Sequence, residues 1–254
     1  MMKNTYEKDQ KSQPDCTMFL STNTNHFQST KSDYGWACGY KNIQMMLTHL
    51  YNYPVYKEIF DSHHLNISSI SQLQDIIKKS WKEGFDPEGA KALNYLSRKN
   101  TWIGTTEFAT FFQFFGIPIK IYEFPKRDQI LEHSYLFDYV KNYYITRQQD
   151  KEIPPLILQH SGHSRSIVGY VEIRSQNQKQ QSVLLYDPWA KGETLKYEAK
   201  TGKLHDFHST IQEISEIPQF QILEIDSRIG HLMTKEEREK SKIIKGIEIP
   251  NNKN

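Results

Sequence analysis

A chain of 254 residues with 37% apolar, 13% aromatic and 24% charged residues can bury a substantial core, which excludes disorder of the whole. A formal net charge of +2, with no basic patch interleaved with aromatics, argues against nucleic acid as a partner. No window reaches the roughly 18 apolar residues of a membrane span and the first residues lack a secretion signal, so no membrane partner is expected and the cytoplasm and/or nucleus is the expected location.

In chain order, residues 1–15 read as a flexible, solvated tail, and 16–37 as a short strand followed by a loop rich in Ser, Thr and Asn. A helix opens at Cys38, with Ile43, Met46, Leu47 and Leu50 along one face, and Pro54 marks a boundary. A second helix begins near Ser71, whose spacing to Gln74 fits a capping box, and carries Leu73, Ile76, Ile77 and Trp81 as far as Gly84. Asp86 and Pro87 supply the N-cap and first-turn proline of a helix through Leu96. From Thr105, Phe108, Phe111, Phe112 and Phe115 share one face and belong to the core rather than to a binding box. A strand over 117–122 follows, then a helix over 132–147 with Leu136, Tyr139, Val140, Tyr143 and Tyr144 inward.

Strands are then expected at 155–160, 164–173, 182–187 and 219–225, with the polar run 174–181 as an exposed hairpin loop. A loose charged helix over 234–242 and a frayed end at 251–254 close the chain. With no internal repeat and no dividing linker, the pattern is one α+β unit, a helical first half followed by an antiparallel sheet.

Cys38 sits where a glycine- and aromatic-rich turn becomes a helix. There the helix N-terminus favours a thiolate, the reactive form, and the N–H of Cys38 can receive a developing oxyanion. The bland alternative is a small buried residue. The other cysteine, Cys16, completes no disulfide framework, and neither cysteine nor histidine spacing fits zinc, so no metal or cofactor is expected. A cysteine nucleophile needs a base. His163, at the tight turn Ser161-Gly162, is preferred over His160, three residues earlier in the strand. Asp187, at the end of the strand 182–187, can orient the imidazole if the hairpin aligns the two strands; alone, Asp187-Pro188 reads as an ordinary strand-ending turn.

The segments Gly35-Trp36-Ala37-Cys38-Gly39-Tyr40-Lys41-Asn42, Leu158-Gln159-His160-Ser161-Gly162-His163-Ser164-Arg165 and Tyr186-Asp187-Pro188, in that order, resemble the ZUFSP-type deubiquitinases. These belong with the peptidases of the ubiquitin-fold modifier in the papain-like superfamily. Trp81 to Ala90 and Trp102 to Glu107 match as well, so the resemblance covers about residues 16–226. It implies a papain-like peptidase domain over 16–230 with a charged tail at 231–254. It makes Cys38 the nucleophile, His163 the base and Asp187 its partner. His26 stands where the family helps to polarise the scissile carbonyl, with a surface histidine as the bland alternative. Asp86, Trp102 and Glu107 fall where the family contacts the arginine-bearing tail of ubiquitin, although Asp86 also serves as an N-cap and Trp102 as a core residue.

The implied activity is hydrolysis after the C-terminal Gly-Gly of ubiquitin, in polyubiquitin chains, with ubiquitin or polyubiquitin as partner. A peptidase for another ubiquitin-like modifier and a catalytically silent ubiquitin-binding module are the alternatives. The zinc fingers and helical ubiquitin-binding segments of longer family members have no counterpart here. The sister peptidases carry Asp-Pro-His, whereas Trp189 follows Pro188 here, which favours the deubiquitinase branch.

Overall fold

The structure, a computed structural model, describes residues 16–125, 134–175, 178–201, 208–210, 213–214, 217–226 and 230–249; the tails expected at 1–15 and 251–254 lie outside them. Strand β1 (Cys16–Leu20) leads through a loop to helix α1 (Cys38–Leu50), which is buried along almost its whole length. Pro54 does more than mark a boundary. It opens helix α2 (Pro54–Ser62), where its missing N–H falls at a position without an intrahelical partner, and Tyr56 and Phe60 anchor that helix in the core.

Helix α3 (Ile70–Lys82) is capped by Ser69, which accepts the N–H of Gln72 at 3.3 Å, rather than by Ser71. Gln74 is turned inward instead, donating to the carbonyl of Lys99 at 2.7 Å and to the Tyr40 hydroxyl at 3.2 Å. Gly84, at φ +92°, ends this segment. Helix α4 (Pro87–Ala92) stops short of Leu96, because Asn94, Tyr95 and Leu96 adopt left-handed φ values of 46°, 52° and 51° that no α-helix continues through. Helix α5 (Thr105–Phe114) brings the phenylalanine face into the core shared with α1 and α3.

The second half builds the sheet: β2 (Ile119–Pro125), helix α6 (Ser134–Thr146), β3 (Leu156–His160), β4 (His163–Ser175), β5 (Gln178–Tyr186), helix α7 (Gly192–Thr201), β6 (His208–Thr210) and β7 (Gln219–Ile225). Helix α8 (Lys235–Ser241) and strand β8 (Gly246–Glu248) follow. The eight strands run in the order β6-β5-β4-β3-β7-β2-β8, with β1 beside the second half of β4. All pairings are antiparallel except β2 with β8.

The polar run 174–181 is not an open loop. Ile173, Arg174 and Ser175 pair with Gln180, Lys179 and Gln178, because a ladder is made of backbone bonds and needs no apolar side chains to extend. Segment 231–249, expected as a charged tail, joins the body through α8, whose Arg238 pairs with Glu83, and through β8.

Alternation along β3 and β7 divides those strands between two of the three apolar clusters among the described residues, the third being built on Val168, Val171, Leu184 and Leu195. Ile157, Leu223 and Ile225 pack with the helical half, whereas Leu156, Leu158, Phe220 and Ile222 pack with α6. A register shift between Ile167 and Gly169 breaks the alternation in β4, so that Ile167 and Tyr170 share a core although they are an odd number of residues apart. The start of β4, which carries His163, is thereby aimed independently of its second half.

Candidate active site

Cys38 is the first residue of α1 and is 2% exposed. A Cβ on Gly39 would lie 2.5 Å from Ile103 Cγ1 and 2.8 Å from its carbonyl oxygen, so only glycine lets segment 102–104 run against the helix start. That approach places the Trp102 indole N–H on the Cys38 sulfur, at 3.2 Å. The preceding loop is pinned by Asp33, which accepts the Thr30 N–H at 2.6 Å and pairs with Lys41 in the first turn of α1 at 2.9 Å. Burial pushes the thiol pKa up, but hydrogen bonds with His163 and Ser164 and the imidazole charge outweigh it, bringing the value from 9.0 to about 7.

His160 and His163 face each other across a turn in which Gly162 takes φ +88°. The imidazole of His163 donates from Nε2 to Asp187 Oδ1 at 2.9 Å. Its buried Nδ1 has no hydrogen-bond partner of good geometry, although the Cys38 sulfur is close enough to influence the ring's protonation. Burial depresses the imidazole pKa, yet the bonds with Asp187 and Cys38 raise it overall. Asp187 shows the opposite balance. Burial raises its pKa, but His163, the Trp189 N–H and Arg165 together hold the carboxylate below its ordinary range.

Arg165 donates from Nε to Asp187 Oδ2 at 2.9 Å, and the Trp189 N–H donates to Oδ1 at 2.8 Å. The Trp189 ring stacks on the imidazole, with centroids 4.0 Å apart and planes inclined by 24°. Asn42, wholly buried, donates to the carbonyl of Cys38 at 2.8 Å and to Ser164 Oγ at 3.0 Å, and accepts from Ser166 Oγ at 2.7 Å. It therefore locks the first turn of α1 to β4. Sequence reasoning gave none of Arg165, Trp189 or Asn42 a role in the site, although Asn42 and Arg165 lie in the resembling segments and Trp189 served to tell the two branches apart. The spacing of Arg165, two residues beyond His163 and so on the same side of the strand, was the available signal.

His160 points elsewhere: Nδ1 bonds to the Ser161 carbonyl at 2.9 Å and the ring packs edge-on to Phe220. His26 lies beside the acid, its Nε2 donating to the Asp187 carbonyl at 2.7 Å. Burial lowers its pKa, which favours the neutral ring with its single proton on Nε2. In that state Nδ1 is an acceptor, and His26 presents no free N–H to an oxyanion.

A second polar cluster adjoins Trp102. Asp86 caps α4 through Oδ1, which accepts the Gly89 N–H at 3.1 Å, and Glu107 caps α5 through Oε2, which accepts the Gly104 N–H at 2.8 Å. Both remaining oxygens crowd Gly89, where a Cβ would collide with Asp86 Oδ2 and come within 3.0 Å of Glu107 Oε1. The Thr106 hydroxyl donates its one proton to Glu107 Oε1 at 3.0 Å, leaving Asp86 Oδ2 buried without a hydrogen bond. Burial raises both carboxyl pKa values, helped at Asp86 by the charge of Glu88 and at Glu107 by that of Asp86, and among the described residues no cation pairs with either. The cluster is a buried pair of carboxyl groups close to the Trp102 ring whose N–H reaches the thiol.

A thiol at a helix start, an imidazole and carboxylate at the facing end of a sheet, and the helical half packed against that sheet together define the papain-like cysteine peptidase class. Within it, the chain belongs to peptidase family C78, whose sequence pattern matches residues 14–223. It is 29% identical over 245 residues to the zinc finger-containing ubiquitin peptidase 1 of Rattus norvegicus and to that of Homo sapiens, covering 92% of this chain and 41% of each relative. It is 33% identical over 146 residues to the ubiquitin carboxyl-terminal hydrolase mug105 of Schizosaccharomyces pombe, covering 57% of this chain and 58% of that protein.

The crystal structure of UfSP from C. elegans superposes with a TM-score of 0.53 at 13% identity, over 86% of this chain and 36% of that one, and shares the fold. The chain thus spans 41% of the length of its zinc-finger relatives. Among the described residues no group of three or more His, Cys, Asp or Glu could hold a metal ion, and no helix is long and apolar enough to cross a membrane.

Proposed function

We propose that the protein is a thiol-dependent deubiquitinase that hydrolyses the peptide or isopeptide bond after the C-terminal Gly-Gly of ubiquitin, including in polyubiquitin. Cys38, as thiolate, attacks the glycine carbonyl. His163 protonates the departing lysine amine and then draws a proton from the water that cleaves the thioester. Asp187 fixes the imidazole tautomer and supports its cation. The Cys38 N–H at the helix start is the first oxyanion donor. His26 joins it by exchanging its bond to the Asp187 carbonyl for one to the substrate.

The observation that carries the substrate assignment is the uncompensated acidic recess of Asp86 and Glu107 beside Trp102. A basic tail ending in two glycines supplies the missing cation, and glycines bring no side chain to the place where the Trp102 indole lies on the Cys38 sulfur. The names of the relatives point to the same substrate. A ubiquitin probe bearing a C-terminal electrophile is expected to label the wild type and not Cys38→Ala; equal labelling of both overturns the assignment. Stronger labelling by a probe of another ubiquitin-like modifier reassigns the substrate. Binding of ubiquitin without any adduct identifies a silent binding module instead.

A further inference from the structure

The backbone of Asp86 is left-handed, at φ 40° and ψ 62°, a sparsely populated region that aspartate tolerates better than most side chains and that neighbouring structure can fix. The constraint comes from the distant end of the chain. The Asp86 N–H donates to the carbonyl of Lys242, just past α8, at 2.8 Å.

Arg238 of α8 secures this join, donating to the Glu83 carboxylate at 2.6 Å and to the carbonyl of Phe114, the last residue of α5, at 3.1 Å. The same guanidinium lies 5.0 Å from the ring of Phe85, which is fully buried, and the Lys242 ammonium lies 5.8 Å from that ring. Farther on, β8 pairs with β2 beside Glu123. Glu123 accepts from Gln221 at 3.2 Å, and Gln221 in turn accepts the hydroxyl of Thr105, the first residue of α5, at 2.6 Å. Segment 234–248 therefore grips the backbone of Asp86 and is linked to both ends of the helix that carries Glu107. The sequence pattern of the family ends at residue 223, before this segment begins.

We infer that residues 234–248 form a brace that determines specificity by holding the Asp86 carboxylate in position within the basic-tail recess. Since that recess is itself the proposed ubiquitin-tail site, the brace rests on that reading, and the experiment separates the two. In steady-state kinetics of the full chain on ubiquitin-aminomethylcoumarin, Arg238→Ala is expected to raise KM about fivefold while kcat stays within about twofold, the scale of coupling between interacting side chains. Arg238→Lys, which keeps a cation opposite Glu83, is expected to restore most of the loss. Glu83→Gln removes the same ion pair from the other side and replaces the test should thermal melting show Arg238→Ala to be unfolded.

In an Asp86→Asn background, Arg238→Ala is expected to add nothing to KM, because the carboxylate it positions is already neutral. If Asp86→Asn leaves KM unchanged, the tail-site reading falls and the brace with it. If Asp86→Asn raises KM but Arg238→Ala and Glu83→Gln do not, or if they act equally in both backgrounds, the recess stands and the brace is overturned.

Discussion

Asp187 and Asp86 are both withdrawn from water, yet they titrate in opposite directions. Asp187 has each oxygen engaged, by His163 and the Trp189 N–H on one side and Arg165 on the other, and its pKa falls. Asp86, with Glu107 beside it, meets backbone N–H groups and a hydroxyl but no cation among the described residues, and both pKa values rise. Burial opposes ionisation at both places, so compensation decides the sign. Glu172 shows what the fold does with a structural acid: Lys141, Arg174 and the Tyr170 hydroxyl bond to it and bring its pKa down to about 2 against the effect of burial, and Lys179 lies 3.5 Å away. The pair Asp86 and Glu107 lacks such support, and in the proposed function the basic tail of the substrate provides it.

The largest expected effect lies at the compensated end. Cys38→Ala and His163→Ala should each lower turnover by about 10⁴-fold or more, and Asp187→Asn by about 10³-fold, through loss of the correct tautomer, measured on a fluorogenic ubiquitin substrate. At the uncompensated end, Glu107→Arg places a cation in the recess and should raise KM for that substrate about 100-fold, the scale of a reversed, desolvated charge contact. Alkylation of Cys38 by iodoacetamide should hardly change in the same variant. If alkylation slows equally, the two sites are not separable and the contrast fails.

Titration sharpens the contrast. Because the thiol pKa is lowered from 9.0 to about 7, the thiolate is present at neutral pH and lost below it. The alkylation rate at pH 6 should be about tenfold under its plateau, one pH unit below the midpoint. The raised imidazole pKa keeps the ion pair intact past the usual histidine range before it dissolves at higher pH. His163→Ala should move the alkylation midpoint back toward that of an ordinary cysteine, about 8.5.

The smallest effect has an unusual sign. Asp86 is protonated more readily in the folded than in the unfolded chain, so its ionisation erodes stability as pH rises through the folded-state value. Asp86→Asn should therefore raise the melting temperature at pH 7. The gain should vanish at pH values low enough to protonate the acid in both states. A destabilised Asn variant at pH 7 would mean that the recess already contains its own compensation.

The division into a helical half and a sheet was legible because it depends on local periodicity, as the four phenylalanines of α5 and the apolar stripe of α1 show. The positions of Cys38, His163 and Asp187 could be read because each stands at an element boundary marked by glycine or proline. Three left-handed residues at 94–96 defeat a helix drawn through Leu96, since nothing in Asn-Tyr-Leu demands positive φ. The ladder through Arg174 and Gln180 was hidden by polar composition, which does not forbid pairing. Arg165 and Trp189 act on Asp187 and His163 through contacts that exist only after β4 and β5 align. The hold of Lys242 on Asp86 spans most of the chain and left no local trace.

The indole of Trp189, stacked 4.0 Å from the His163 ring and 40% exposed, gives the cleft a built-in optical gauge. A protonated imidazole accepts electron density from an excited indole and dims its emission, while a neutral ring leaves it bright. Intrinsic fluorescence followed through a pH ramp would then register, without added dye or substrate, when the imidazole beside the sulfur gains or loses its charge.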